Sequence, residues 1–286
     1  MADVKELESI ASQVRRDIIR QVYLAQSGHP GGALGCADLI VALYFGHMEH
    51  KTEFNMDPKG EDVFYLSNGH ISPVWYSVLA RSGYFPVEEL ASFREINSRL
   101  QGHPTTHEHL PGVRVASGSL GQGISVAAGT ALAKKLDGDN EHMVFCLSGD
   151  GEQQEGQVWE AALFCPHHKL DNLVLFIDRN GQQIDGPTSE VMEIGDLGEK
   201  YATFGWHVEH VDGNNMGELI QLLEQLRNRE KDGRPVCVVM KTEMGKGVDY
   251  MEGTHKWHGK APNEELAIKA LNQLEETLGD FPAEGI

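Results

Sequence analysis

An α/β fold, a parallel sheet flanked by helices on both faces, is predicted by two observations. Short runs rich in β-branched and aromatic residues alternate with amphipathic segments along most of the chain. Alternation of such runs with helices argues for a parallel sheet covered on both sides. Gly-, His- and Asn-bearing turns follow the runs, at the strand ends where open α/β sheets hold ligands. With no internal repeat or low-complexity linker, residues 1–286 read as one domain.

The elements follow in order. Ile10, Val14, Ile18 and Val22 recur at helical spacing, predicting a first helix from Leu7 to Ala25 that stops at SGHPGG, a loop from Ser27 to Gly32. A second helix is expected over Leu34–Phe45, a strand over Val63–Leu66, and a helix over about Pro73–Ser82. Phe85 to Val115, rich in His and Pro, reads as a long functional loop with a short helix near Glu88–Phe93. Helix Ile124–Leu136, strand Met143–Leu147, helix Val158–Phe164 and strand Leu173–Ile177 come next. Helix Gly195–Phe204, strand His207–Val211, helix Met216–Arg227 and strand Val236–Met240 complete the sheet, and Pro262–Leu278 reads as a terminal helix packed outside.

Composition narrows the partners. A chain of 286 residues with a formal net charge of -19 repels nucleic acid and anionic membranes, so a polyanionic ligand needs a local site. Cys36, Cys146, Cys165 and Cys237 form no CxxC pair and read as reduced structural cysteines of a cytoplasmic protein. No signal-peptide core and no membrane-length apolar run is present in the sequence.

Two strand ends carry the strongest chemical signal. Asp150 of SGDG follows one apolar run, and Asn180 of DRN follows the next, thirty residues later. A helix between parallel strands brings the two side chains to one point. Alone, a GDG reads as an aspartate capping a helix; with the Asn at this spacing, the pair suits a hard divalent cation holding a diphosphate. Mg²⁺ takes about six oxygens and commonly few protein ligands. Gly149 and Gly151 let the backbone approach phosphate, and the helix after Gly156 offers free N–H groups. Histidines supply the second signal: His29, His70, His103 and His258 each lie in a glycine-flanked loop. Such turns present imidazole to a ligand, where it exchanges protons near neutral pH.

SGHPGG, LSNGH, LQGHP, SGSLGQG, GDGEQQEG and DRN followed by IDGPT stand in the order found in transketolases, and nearly the whole chain resembles the N-terminal, diphosphate-binding domain of that family. The resemblance implies the thiamin diphosphate-binding fold, with thiamin diphosphate (ThDP) and Mg²⁺, or Ca²⁺ or Mn²⁺ in its place. It implies Asp150, Asn180 and the Gln182 carbonyl as metal ligands. His70, Gly149, Gly151 and His258 would meet the diphosphate, and Gly118 and Leu120 the aminopyrimidine. His29, His103 and His258 would line the sugar channel as catalytic residues. Glu155 would meet its symmetry mate between coupled active sites. Ser119 stands where many relatives carry proline, which loosens that loop but leaves Gly118 and Leu120 in place.

A full transketolase continues into pyrimidine-binding and C-terminal domains, and this sequence stops first, closing in GDFPAEGI. It is therefore similar to the N-terminal subunit of a split transketolase of the pentose phosphate pathway. The expectation is an α₂β₂ heterotetramer with a C-terminal partner subunit, acting on sugar phosphates and inactive alone. Three alternatives remain: a related ThDP enzyme for another ketose phosphate or for E1-like dehydrogenase chemistry, a non-catalytic ThDP-binding regulatory relative, and a Rossmann-type nucleotide binder. The last is weakened because no GxGxxG follows a first strand.

Overall fold

Five parallel strands, β1 (Val63–Leu66), β2 (Val144–Gly149), β3 (Leu173–Arg179), β6 (His207–Asp212) and β7 (Val236–Lys241), pair in the order β1-β2-β3-β7-β6. The computed structural model describes residues 3–283; the outermost residues of the expected domain and of GDFPAEGI lie outside them. Because every strand runs the same way, all their carboxyl ends fall on one edge.

Alternate side chains of each strand enter separate cores, as the period-two geometry of a strand requires. Phe64, Leu66, Phe145, Leu147, Val174, Phe176, Val238 and Met240 pack beneath α1 (Val4–Ala25), α2 (Pro30–Gly35), α3 (Ala37–Val41), α4 (Ser72–Arg81), α9 (Met216–Arg227) and α10 (Glu264–Leu271). Val63, Tyr65, Val144, Cys146, Leu175, Ile177 and Cys237 pack beneath α5 (Gln122–Leu136), α6 (Gly156–His167) and α8 (Leu197–Thr203). The sheet is thus covered on both faces, as predicted. All four cysteines are buried and free. Among the described residues, no helix is long and apolar enough to cross a membrane.

Three elements differ from the sequence reading. SGHPGG is partly helical: Pro30, at the first position of α2, pre-sets its backbone angle. The single helix expected from Leu34 is broken at Cys36 and ends in a π-helical turn, Ala42–His47. At the break, a Cβ on Gly35 would lie 2.9 Å from the Glu243 carbonyl oxygen, so backbone packs directly on backbone there. The terminal helix stops at Leu271 because Arg16 of α1 takes the carbonyls of Leu271 and Leu274, at 2.7 and 2.8 Å. Beyond it the chain runs back along α1.

Between β3 and α8 lies an element the sequence reading left as loop: a two-residue antiparallel hairpin, β4 (Gln182–Gln183) and β5 (Gly186–Pro187), followed by α7 (Thr188–Val191). The long segment from Phe85 to Val115 is irregular as expected, with one 3₁₀ turn, Val87–Ser92. Its turns use left-handed backbone at Arg94, Asn97 and His109.

Candidate active site

A pocket of about 380 Å³ opens at the carboxyl edge of the sheet, and every site residue expected from the sequence lines it. The end of β1 supplies His70, the end of β2 supplies Gly149, Asp150 and Gly151, and the turn after β3 supplies Asn180 and Gln182. His29 caps α2, His258 follows the 3₁₀ turn His255–Trp257, and His103 comes from the long irregular segment. Gly118 and Leu120 form an exposed lip before α5, and Glu155 stands exposed at the start of α6.

Both strand-end side chains line the pocket, and Asp150 bonds the turn that carries Asn180. Asp150 accepts the Gly151 N–H at 2.7 Å and, across the gap, the Gly181 N–H at 2.8 Å. Burial, aided by the nearby Asp178 charge, pushes its carboxyl up to about 7 despite those two bonds. Asn180 donates its amide N–H to Asp178 at 2.8 Å, which turns its oxygen the other way, toward the Gln182 N–H at 2.9 Å. Asp178 itself is fully enclosed and accepts from the Thr242 hydroxyl and the Cys36 thiol. Among the described residues, no three His, Cys, Asp or Glu gather in a way that could hold a metal ion. One carboxylate, one amide oxygen and one backbone carbonyl are instead a hard, oxygen-only set. It fits a cation that completes its shell from phosphate and water.

Opposite this set the four histidines cluster. The His29 ring lies 5.2 Å from that of His70, 5.7 Å from His258 and 6.1 Å from His103, and His70 stacks on His258 at 5.0 Å. Burial first, then the neighbouring cationic forms, holds His29 at about 4 and His70 well below the usual imidazole range. His258 is lowered by burial, and His103 by burial and the Arg94 guanidinium. At neutral pH all four are therefore neutral and able to accept protons. The buried atoms Nδ1 of His29, Nδ1 of His258 and Oδ1 of Asn68 have no hydrogen-bond partner among the described residues. Unpaired buried polar atoms are rare, and here they fit a polar ligand.

Close backbone contact shapes the remaining wall. A Cβ on Gly69 would fall 2.0 Å from the Ser117 carbonyl oxygen, so only glycine lets these two loops meet. The sequence reading passed over Asn68, Glu152, Gln154, Asp178, Gln183, Ile184 and Met244, which also line the pocket. Several of these stood inside motifs already singled out, where polar residues between glycines were the available signal. Ile184 opens the quoted IDGPT motif, where an apolar side chain gave no chemical signal, and for Met244 the sequence carried none.

Comparisons with known proteins agree with this geometry. The family model described as "Transketolase, thiamine diphosphate binding domain" matches residues 7–284. One of the subunits of the apulose-4-phosphate transketolase of Phocaeicola vulgatus is 37% identical over 275 residues, covering 96% of each chain. The 6-deoxy-6-sulfo-D-fructose transketolase subunit of a Clostridium species is 35% identical, covering 94% of this chain and 96% of that one. The crystal structure of Campylobacter jejuni transketolase superposes with a TM-score of 0.89 at 33% identity, over 98% of this chain but 44% of that one. The chain thus spans nearly all of these single-subunit relatives and under half of a full-length transketolase.

Proposed function

The chain belongs to the transketolase thiamine diphosphate-binding domain family, and from that premise we propose that it is the N-terminal subunit of a two-chain transketolase. It would move a two-carbon ketol unit from a ketose phosphate to an aldose phosphate, using ThDP and a divalent metal, Mg²⁺ first. The observation that carries this reading is the convergence of Asp150, Asn180 and Gln182 with four neutral histidines in one pocket.

When bound, ThDP supplies a nucleophilic carbon and a sink for the electron pair of the broken C–C bond. The chain's residues do the rest. Asp150, Asn180 and the Gln182 carbonyl hold the metal. His70, Gly151 and His258 meet the diphosphate, and Gly118 and Leu120 hold the aminopyrimidine. His29 and His258 would take the proton of the donor's C3 hydroxyl, a step for which a neutral imidazole is required. His103 holds the C1 hydroxyl.

The identity of the ketose is drawn more broadly than the pentose phosphate pathway, since the two single-subunit relatives are named for different ketoses. Leu120, Val126, Leu163 and Phe164 keep 37%, 38%, 63% and 38% of their surface exposed, on the lip, on α5 and on α6, the helix that follows Glu155. That apolar surface supports a partner chain against α5 and α6, and with it an α₂β₂ assembly in which Glu155 meets its mate. The partner would bring the pyrimidine-binding half of the site. The test is ketol transfer by the purified chain with ThDP and Mg²⁺, alone and with its co-purifying partner. Activity is expected only with both; sustained transfer by the chain alone overturns the split-subunit reading.

A further inference from the structure

Glu152 lies one residue past the GDG, in the 3₁₀ turn Gly151–Gln154, and only 3% of it is exposed. A carboxylate this deep is usually paired with a cation. Among the described residues it makes no ion pair, and the groups that favour its charged form are hydrogen-bond donors of Ser67, Gly121, Gly149 and Ser148. Its Oε1 accepts the Ser67 hydroxyl at 2.5 Å and the Gly121 N–H at 2.7 Å, and its Oε2 accepts the Gly149 N–H at 3.0 Å. Ser67 in turn accepts the Gly123 N–H at 3.1 Å.

These donors come from three different segments. Ser67 ends β1 and leads through Asn68 and Gly69 to His70. Gly121 closes the lip that holds Gly118 and Leu120, and its N–H lies at the start of α5, where helical donors lack partners. Gly149 ends β2 directly before Asp150. Each segment contributes pocket-lining residues, and the first two meet at the contact between Gly69 and the Ser117 carbonyl, where a small shift in one displaces the other.

We propose that Glu152 is a positioning residue: its carboxylate fastens the His70 turn, the Gly118–Gly121 lip and the Asp150 strand end into one rigid cradle for the cofactor. The inference rests on the reading that ThDP binds in this pocket, and it adds a role no ligand contact assigns.

The test compares the wild-type chain, assembled with its co-purifying partner, with Glu152→Gln and Ser67→Ala in the same assembly, measuring ThDP affinity by calorimetry with Mg²⁺ present and amide exchange without cofactor. The amide of Glu152→Gln keeps the volume but must turn its NH₂ toward at least one of the donors. It is expected to weaken ThDP by about tenfold, the range for a lost charged hydrogen bond. Exchange should quicken at Gly121, Gly149 and residues 67–70, while α1 and α9 stay unchanged. Ser67→Ala, which leaves the carboxylate in place, should show the same local pattern more weakly. Unchanged affinity and exchange in Glu152→Gln would overturn the proposal. So would exchange that rises uniformly along the chain in both variants, which would mark plain structural support. A wild-type assembly of the chain with its partner that binds no ThDP would defeat the functional reading, and the exchange comparison would still decide the clamp.

Discussion

Along α1, Asp17 is gripped by Arg81 through two bonds of 2.9 and 2.8 Å, Arg15 by Asp38 at 2.5 Å, and Arg16 by Asp280 at 2.8 and 2.6 Å. At the carboxyl edge of the sheet, equally enclosed polar groups are left open. His29, His258 and Asn68 keep bare atoms, and Asp150 is pushed up to about 7 beside a second carboxylate. Burying a polar group is unfavourable unless it is partnered. Along α1 the ion pairs meet that demand, with Arg20 Nε and Gln21 Oε1 left bare beside them, and the region is a joint. The strand edge does not, and its missing partners mark it as a receptor.

If that contrast holds, substitutions in the joint should change stability and leave affinity alone, and those in the receptor should do the reverse. The largest effect is expected from Asp17→Ala, which strands the nearly buried Arg81 guanidinium. Urea unfolding should show a loss of about 3–5 kcal/mol; a loss under about 1 kcal/mol would erase the distinction. Asp150→Ala should cut Mg²⁺-dependent ThDP affinity by about 100-fold, comparable to or beyond the loss of an outer-shell metal contact. Its unfolding midpoint should hold or rise, because a buried carboxylate beside Asp178 is removed. Retained affinity would take Asp150 out of the metal site.

His29→Ala sharpens the comparison within the receptor itself. Turnover by the assembled enzyme should fall at least about tenfold, the lower part of the acid–base range, with ThDP affinity kept. An unchanged turnover number would remove His29 from the chemistry. The smallest effect concerns pH. His29 is held at about 4 when folded, below its ordinary value of 6.5, so the unfolded chain binds the proton more readily in between. Stability from this group is therefore fully present above pH 6.5 and falls as pH drops toward 4. After discounting for partial exposure, a loss on the order of 1 kcal/mol is expected. Denaturation midpoints that stay flat from pH 7 to 4.5 in the wild type, or fall equally in His29→Ala, would contradict it.

The sheet was legible because its strands are short, apolar and separated by periodic helices: Val63–Leu66 and Met216–Arg227 fall on the predicted bounds. The receptor was legible where glycine framed a polar residue, as at His29, His70 and Asp150. Legibility failed where a residue's role depends on a distant segment. Glu152 and Asp178 look like surface caps in a linear reading, and only the neighbouring loops reveal them as enclosed acceptors. Residues 272–278 keep a helical pattern, yet α1 captures the Leu271 and Leu274 carbonyls and draws the chain out straight. The hairpin Gln182–Pro187 is too short for any periodicity to announce it.

The joint on α1 also imposes an order on synthesis. Arg16 and Asp280 are 264 residues apart in the chain, so a ribosome working at about 5–20 residues per second makes the arginine tens of seconds before its mate. Through that interval Arg16 and Arg20 lack the Asp280 carboxylate, although Asp38 and Arg81 already hold the neighbouring charges of α1. The side of α1 that faces the C-terminal segment is thus the last to be closed, and nascent chains arrested short of Asp280 should be cut within α1 by protease faster than the chain that carries it.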